Sequence, residues 1–192
     1  MQPKKPSKCR ICKAPFQKRS MSHIACSIAC SAEWAKRKRE KSVEAEARQA
    51  RKEIRERKEK IKTRSDWIKE CQVAFNSFVR ARDSGKSCIC CGRPLNAQQV
   101  GGGFDAGHYR SVGSAPHLRF DERNCHGQTK QCNRYGAGRV VDYRIGLIER
   151  IGLEAVEALE SDQVPRKFTI DELKAIKAEY REKLADLRKG KS

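Results

Sequence analysis

Residues 88–133 read CICCGRPLNAQQVGGGFDAGHYRSVGSAPHLRFDERNCHGQTKQCN. The rest of the chain is organised around them. Cys88 and Cys91 open the stretch at C-x-x-C spacing, and Cys132 with Asn133 closes it. Between them lie a glycine run, then Asp105, His108 and, sixteen residues on, Asn124. Paired thiols at that spacing suit tetrahedral zinc. The pattern predicts a loop over 96–103 and a strand over 104–109. On a strand, positions 105 and 107 share a face. An irregular loop is expected over 110–120, broken by Gly113 and Pro116.

This ordered set resembles an HNH nuclease core, a β-hairpin and one helix clamping a divalent metal, with a structural zinc pinning the ends. Phosphodiester hydrolysis needs an activated water and a cation on the phosphate. A neutral imidazole accepts a proton near pH 7, so His108 fits the general base. The resemblance implies that Asn124 holds the base loop and that Asn133 ligates the metal. Many such enzymes carry a metal ligand immediately before the base, where this chain has Gly107. Asp105, on the same strand face, is the nearest carboxylate. The expected metal is Mg²⁺ or Mn²⁺.

The second half of the core zinc site is less regular. Cys132 is one ligand. Such a knuckle normally has a cysteine three residues earlier, where Thr129 stands. Cys125, in a C-x6-C pair, is the expected replacement. His126 is the competitor, and Cys90 is a further one by a change of register. His117 reads as a structural residue or a phosphate contact.

Upstream, Cys9-x-x-Cys12 is followed by Cys26-x-x-x-Cys30. Four thiols in two close pairs make a zinc finger over 1–31. So short a segment cannot fold on its apolar content, and a metal has to organise it. His23 reads as a loop histidine. About two zinc ions are expected per chain. Ten cysteines with no visible secretory signal point to metal binding in a reducing cytosol. No apolar run reaches membrane-spanning length.

The net charge is +19, and residues 1–64 hold 21 Lys and Arg against 7 Glu. A basic block of this kind is an electrostatic footprint for nucleic acid. Residues 32–64 lack Gly and Pro and read as one long basic helix, capped by Ser31. Its Lys36, Arg37, Lys38 and Arg39 are candidate DNA contacts, as are Arg110, Arg119 and Arg123 in the core. Val43, Ala47, Ala50, Ile54 and Ile61 make a thin apolar stripe. A single charged helix is the favoured reading, and pairing with a second copy, a homodimer, is the alternative.

Ser65 to Trp67 reads as the start of a more apolar helix that packs on the core, ending near Asp83 to Gly85, with Cys71 a buried thiol. Downstream, an apolar-periodic helix runs from Val140 to Ile151. Gly152 breaks it, and Leu153 to Leu159 adds a short helix. Thr169 and Glu172 form a capping box for a last amphipathic helix through Leu173, Ile176, Tyr180, Leu184 and Leu187. The expected fold is α+β: a zinc-pinned ββα-metal core packed with helices, behind a four-cysteine zinc finger and a basic helix. The divisions are 1–31 finger, 32–64 helix, 65–160 core and 161–192 C-terminal helix.

With these residues in view, the chain resembles the NinG/Rap recombination nucleases of lambdoid phages. The resemblance rests on the N-terminal finger, the charged helix, Ser65-Asp66-Trp67, AGHYRSVGSAPHLRF at 106–120 and FTIDELKAIKAEYREKL at 168–184. It implies a structure-specific endonuclease acting on branched DNA, such as Holliday junctions and displaced-strand joints. It also implies work beside phage recombination proteins in the host cytoplasm. Two other classes compete: a sequence-specific HNH enzyme of homing or restriction type, and a zinc-dependent DNA-binding protein with a silent site.

Overall fold

A computed structural model describes residues 6–96 and 103–190. Residues 97–102 of the expected loop lie outside the described residues. The chain forms two compact units, Met1–Ile61 and Lys62–Ser192. No described helix is long and apolar enough to cross a membrane.

In the first unit, β1 (Ser7–Lys8) pairs antiparallel with β2 (Pro15–Phe16). The turn between them places Lys13 at φ 62, and Cys9 N–H donates to the Ala14 carbonyl at 2.8 Å. Helix α1 (Ile28–Lys60) starts earlier than the Ser31 cap would place it. Ser27 is the cap: its side-chain oxygen accepts the Cys30 N–H at 3.2 Å. Cys30 is thereby fixed in the first turn. None of the 33 residues of α1 is buried. Val43 and Ile54, members of the apolar stripe, are 59% and 53% exposed. The helix is supported locally by i,i+4 pairs such as Glu33 with Arg37 at 2.6 Å, each a small, solvent-screened contribution.

In the second unit, α2 (Arg64–Arg82) is capped by Thr63 rather than Ser65. Thr63 and Asp66 form a reciprocal capping box, which fixes the start two residues earlier. Trp67, Cys71, Ala74, Phe75, Phe78 and Val79 line the buried face of α2. That face packs on Leu173 and Tyr180 of α5 (Ile170–Lys189), whose Thr169–Glu172 capping box is present as expected. The C-terminal helix therefore shares the main core, one of the two places its amphipathic spacing allows. Phe75 meets Tyr180 edge-on at 4.8 Å, and the Tyr180 hydroxyl donates to the Phe120 carbonyl at 3.0 Å.

Strand β3 (Phe104–His108) pairs antiparallel with β4 (Cys125–Thr129), and the register sets Phe104 opposite Thr129 and His108 opposite Cys125. A long connection with two short 3-10 turns, Pro116–Leu118 and Glu122–Asn124, joins them. A wide helical turn, Gln131–Tyr135, follows β4. Helices α3 (Val140–Ile151) and α4 (Leu153–Ser161) then build a second core from Tyr143, Leu147, Val156 and Leu159 with Ile89, Ala115 and Leu118. Gly146 lets α3 lie directly on the knuckle, because a Cβ there would collide with the Ile89 carbonyl.

Asp83 ties α2 to the sheet. Fully buried, it accepts Arg82 at 2.9 Å, Lys86 at 3.0 Å and the Gly127 N–H at 2.8 Å. Burial works to raise its carboxyl, but Arg82 foremost, with Gly127 and Lys86, holds it far below the usual carboxylate range.

Candidate metal and catalytic sites

The Sγ atoms of Cys9, Cys12, Cys26 and Cys30 all lie within 4.8 Å of one another. Cys12 and Cys26 are 3.3 Å apart, and Cys26 and Cys30 are 3.8 Å apart. Burial alone would raise Cys9, but backbone N–H groups of Cys12, Cys26 and Ile11 bring it down to about 6. Four sulfurs this close repel once ionised unless a cation sits among them, so the cluster can hold a zinc ion. His23 stays outside: its ring accepts the Arg19 N–H at 3.2 Å and meets Phe16 edge-on.

The second cluster contains Cys88, Cys91 and Cys132, with ligand atoms again within 4.8 Å of one another. The Cys90 thiol and the N–H groups of Thr129, Cys90 and Cys91 bring Cys88 down to about 3, against the effect of burial. This set too can hold zinc. Cys125 is not part of it, which corrects the C-x6-C expectation. The register explains why. Cys125 opposes His108 at one end of β4, while Thr129, at the other end, meets the knuckle. Four residues of strand separate them, about 13 Å. Cys125 is fully buried, burial pushes its thiol up, and it stays neutral. His126 also points elsewhere, with Nδ1 3.3 Å from Arg82 and Nε2 3.1 Å from the Arg123 carbonyl.

Strand alternation divides the expected catalytic residues. Asp105 and Asn133 meet: the Asn133 amide donates to Oδ2 of Asp105 at 3.1 Å. Arg134 adds a two-pronged ion pair to the same carboxylate, at 2.7 and 2.9 Å. Burial tends to raise Asp105, but Arg134 and then Asn133 hold it below its ordinary value. A carboxylate and an amide oxygen are the hard donors that Mg²⁺ or Mn²⁺ takes, although a cation there has to displace Arg134.

His108 lies three residues further on, among the residues facing α2. Its ring stacks at a tilt on Phe75, with centroids 6.0 Å apart. Among the described residues, no hydrogen bond joins it to the Asp105–Asn133 pair. Nε2 lies 2.9 Å from the Arg119 carbonyl, so that nitrogen carries the proton, and Nδ1 faces the Cys125 sulfur at 3.8 Å. Burial lowers the His108 pKa below the ordinary histidine value, only partly opposed by the Arg119 carbonyl.

Asn124 is fully buried and clamps the loop that follows β3. Its Oδ1 accepts the Arg110 N–H at 2.8 Å, and its amide donates to the carbonyls of Arg110 and Leu118 at 3.0 and 3.2 Å. The carbonyl next to Leu118, that of Arg119, is the one that holds His108.

Gly107 is occupied from across the sheet. A Cβ there would collide with Oε1 of Gln128, so Gln128 fills the face where a ligand side chain would stand. Nothing in the spacing announced this: the register sets Gln128 opposite Asp105, and its side chain reaches diagonally over Gly107 on the same face. Arg134 was equally missed, although it directly follows Asn133. Of the expected DNA contacts, Arg110 is redirected inward: its guanidinium binds the carbonyls of Leu159, Glu160 and Asp162. Arg123 pairs with Asp121 at 2.7 Å, and Arg119 donates to Gln72 at 3.2 Å. Lys36, Arg37, Lys38 and Arg39 are exposed on α1. His117 is structural, with Nε2 2.8 Å from the Asp162 carbonyl.

A family model described as "Bacteriophage Lambda NinG protein" matches residues 1–190. "Protein ninG" of Salmonella phage P22 is 52% identical over 136 residues, 71% of this chain and 64% of the relative. "Protein ninG" of Escherichia phage lambda is 51% identical over the same shares. The chain thus spans just under two thirds of the length of these two. "Protein ninG" of Enterobacteria phage H19B is 42% identical over 196 aligned positions, 96% of this chain and 95% of the relative. No solved structure matches. The family match over nearly the whole chain, with these relatives beside it, places the chain in the NinG family.

Proposed function

We propose that this protein is a metal-dependent endonuclease of HNH type that cuts branched DNA. The observation that carries the reading is the relay from Asn124 to His108. A buried amide fixes the loop, the loop presents the Arg119 carbonyl, and that carbonyl fixes the imidazole tautomer. With the proton on Nε2 and a lowered pKa, the imidazole is neutral at pH 7, and Nδ1, now beside the Cys125 thiol, is the nitrogen that would accept a proton from water.

Asp105 and the amide oxygen of Asn133 would hold Mg²⁺ or Mn²⁺. When bound, such a cation polarises the phosphate and stabilises the leaving oxygen. Arg134, released from Asp105, stands beside the phosphate position as a cationic contact. Zinc in the two cysteine clusters fixes the finger and the base of the core. The exposed cations of α1 supply affinity for the DNA backbone without reading sequence. The same reading assigns the protein to the host cytoplasm, with branched DNA and phage recombination proteins as partners. A second copy pairing through the exposed stripe of α1 would make it a homodimer.

One observation favours a second reading. Arg134 neutralises Asp105, and Gln128 fills the Gly107 face, as expected of a DNA-binding protein that does not cut. Four-way, flapped and linear duplexes of matched sequence, each with Mg²⁺ or Mn²⁺, separate the two. Metal-dependent cutting of the branched forms supports the nuclease. Tight binding with no cutting under either metal supports the second reading.

A further inference from the structure

The two cysteine clusters differ in one corner. In the finger, four sulfurs surround the centre. In the core cluster three do, and the fourth corner belongs to Thr129. Its Oγ1 lies 3.9 Å from the Cys88 sulfur and 4.0 Å from the Cys91 sulfur. It also accepts the Cys132 N–H at 3.3 Å, so it touches all three ligand residues. With Zn–S near 2.3 Å and Zn–O near 2.1 Å, a tetrahedral site puts sulfur and oxygen about 3.6 Å apart. The hydroxyl stands slightly further back than a bound ligand. A hydroxyl is also a neutral donor, whereas a thiolate contributes a charge that binds Zn²⁺ strongly. Structural zinc sites are closed by four protein ligands, and sites that keep a position open exchange it.

Cys90 is the other thiol within reach. It lies outside the group of three. Its thiol hydrogen-bonds the Cys88 sulfur from behind, and its own sulfur accepts the Gln128 amide at 3.0 Å and faces the Gly138 carbonyl at 3.8 Å, so it stands as a neighbour of one ligand and not at the open corner.

We propose that the core cluster is a three-thiolate zinc centre whose fourth position, at Thr129, is exchangeable and accepts a small external thiolate. The inference rests on both clusters binding zinc. Three thiolates give the centre a net charge of one minus. Arg93, with Nε 3.4 Å from the Cys91 sulfur, lies beside it and favours the approach of a fourth, anionic sulfur.

The test is zinc release from the reduced full-length protein into a colorimetric chelator. The expected result is two zinc ions per chain, one leaving at least about tenfold faster than the other, since even outer-shell changes alter zinc affinity 10–100-fold. Cys91→Ser should remove the fast ion, and Thr129→Cys should convert it to a slow one. Cys90→Ser, which alters only a neighbour of Cys88, should leave both zinc ions bound. In the cobalt-substituted wild type, 2-mercaptoethanol should shift the visible absorption of one site. That measurement stands if Thr129→Cys does not fold. Two equally slow ions, an unmoved cobalt spectrum, or loss of the second zinc in Cys90→Ser would each overturn the inference. Finding no zinc in either cluster would overturn the zinc reading itself.

Discussion

The imidazole of His108 serves as a base only if one ring nitrogen is free of its proton, and the Arg119 carbonyl selects which. That carbonyl is placed by Asn124, whose three hydrogen bonds run to loop backbone. Asn124→Ala should therefore leave the Arg110 N–H buried and unpaired, lowering stability by about 1–3 kcal/mol. Chemical denaturation checks this. Arg134→Ala should act in the opposite sense on metal binding. With the guanidinium gone from Asp105, half-maximal cleavage should need several-fold less Mg²⁺, and a metal titration of the cleavage rate reads it directly. A second residue-scale effect concerns acid. Burial, then the Arg82 charge, lowers His126 to about 4. The unfolded chain binds that proton more readily, so this group's stabilisation is full above about pH 6.5 and fades as pH falls toward 4. His126→Gln should show a shallower loss of melting temperature between pH 7 and pH 4.5 than wild type at equal zinc.

At the scale of elements, α2 and α5 carry the second unit. Phe75 is fully buried against Tyr180, Phe120 and His108. Phe75→Ala should cost about 3–5 kcal/mol, visible in the urea midpoint, and should loosen the ring of His108 as well. Much of this level was legible in the sequence. Cysteine spacing named seven of the residues in the two clusters. The helical spacing of Trp67, Cys71, Phe75 and Phe78 identified the face of α2, and the Thr169–Glu172 box located the start of α5. What failed was everything set by strand register. Cys125 looked adjacent to the knuckle because the count of residues to Cys132 is short, but a strand carries it to the far end of the sheet. Gln128 over Gly107, and Arg110 turned onto the end of α4, are likewise cross-element contacts with no periodic trace. The helix starts lie two to four residues before Ser65 and Ser31, where the Thr63 and Ser27 hydroxyls accept first-turn N–H groups.

For the whole molecule, the division at residue 61 separates a charged arm from the unit holding the candidate catalytic residues. Removing residues 1–61 should weaken DNA binding and flatten its dependence on salt, because most of the excess positive charge leaves with them. Binding isotherms at several salt concentrations would show it, and an unchanged slope would locate the contact surface in the second unit. The most direct test of the central claim compares wild type with His108→Ala on a four-way DNA junction in saturating Mg²⁺ or Mn²⁺. The variant should bind the junction near-normally and cleave it about 10²–10⁴-fold more slowly, with no rescue by added metal. A His108→Ala protein that cuts at the wild-type rate would contradict it.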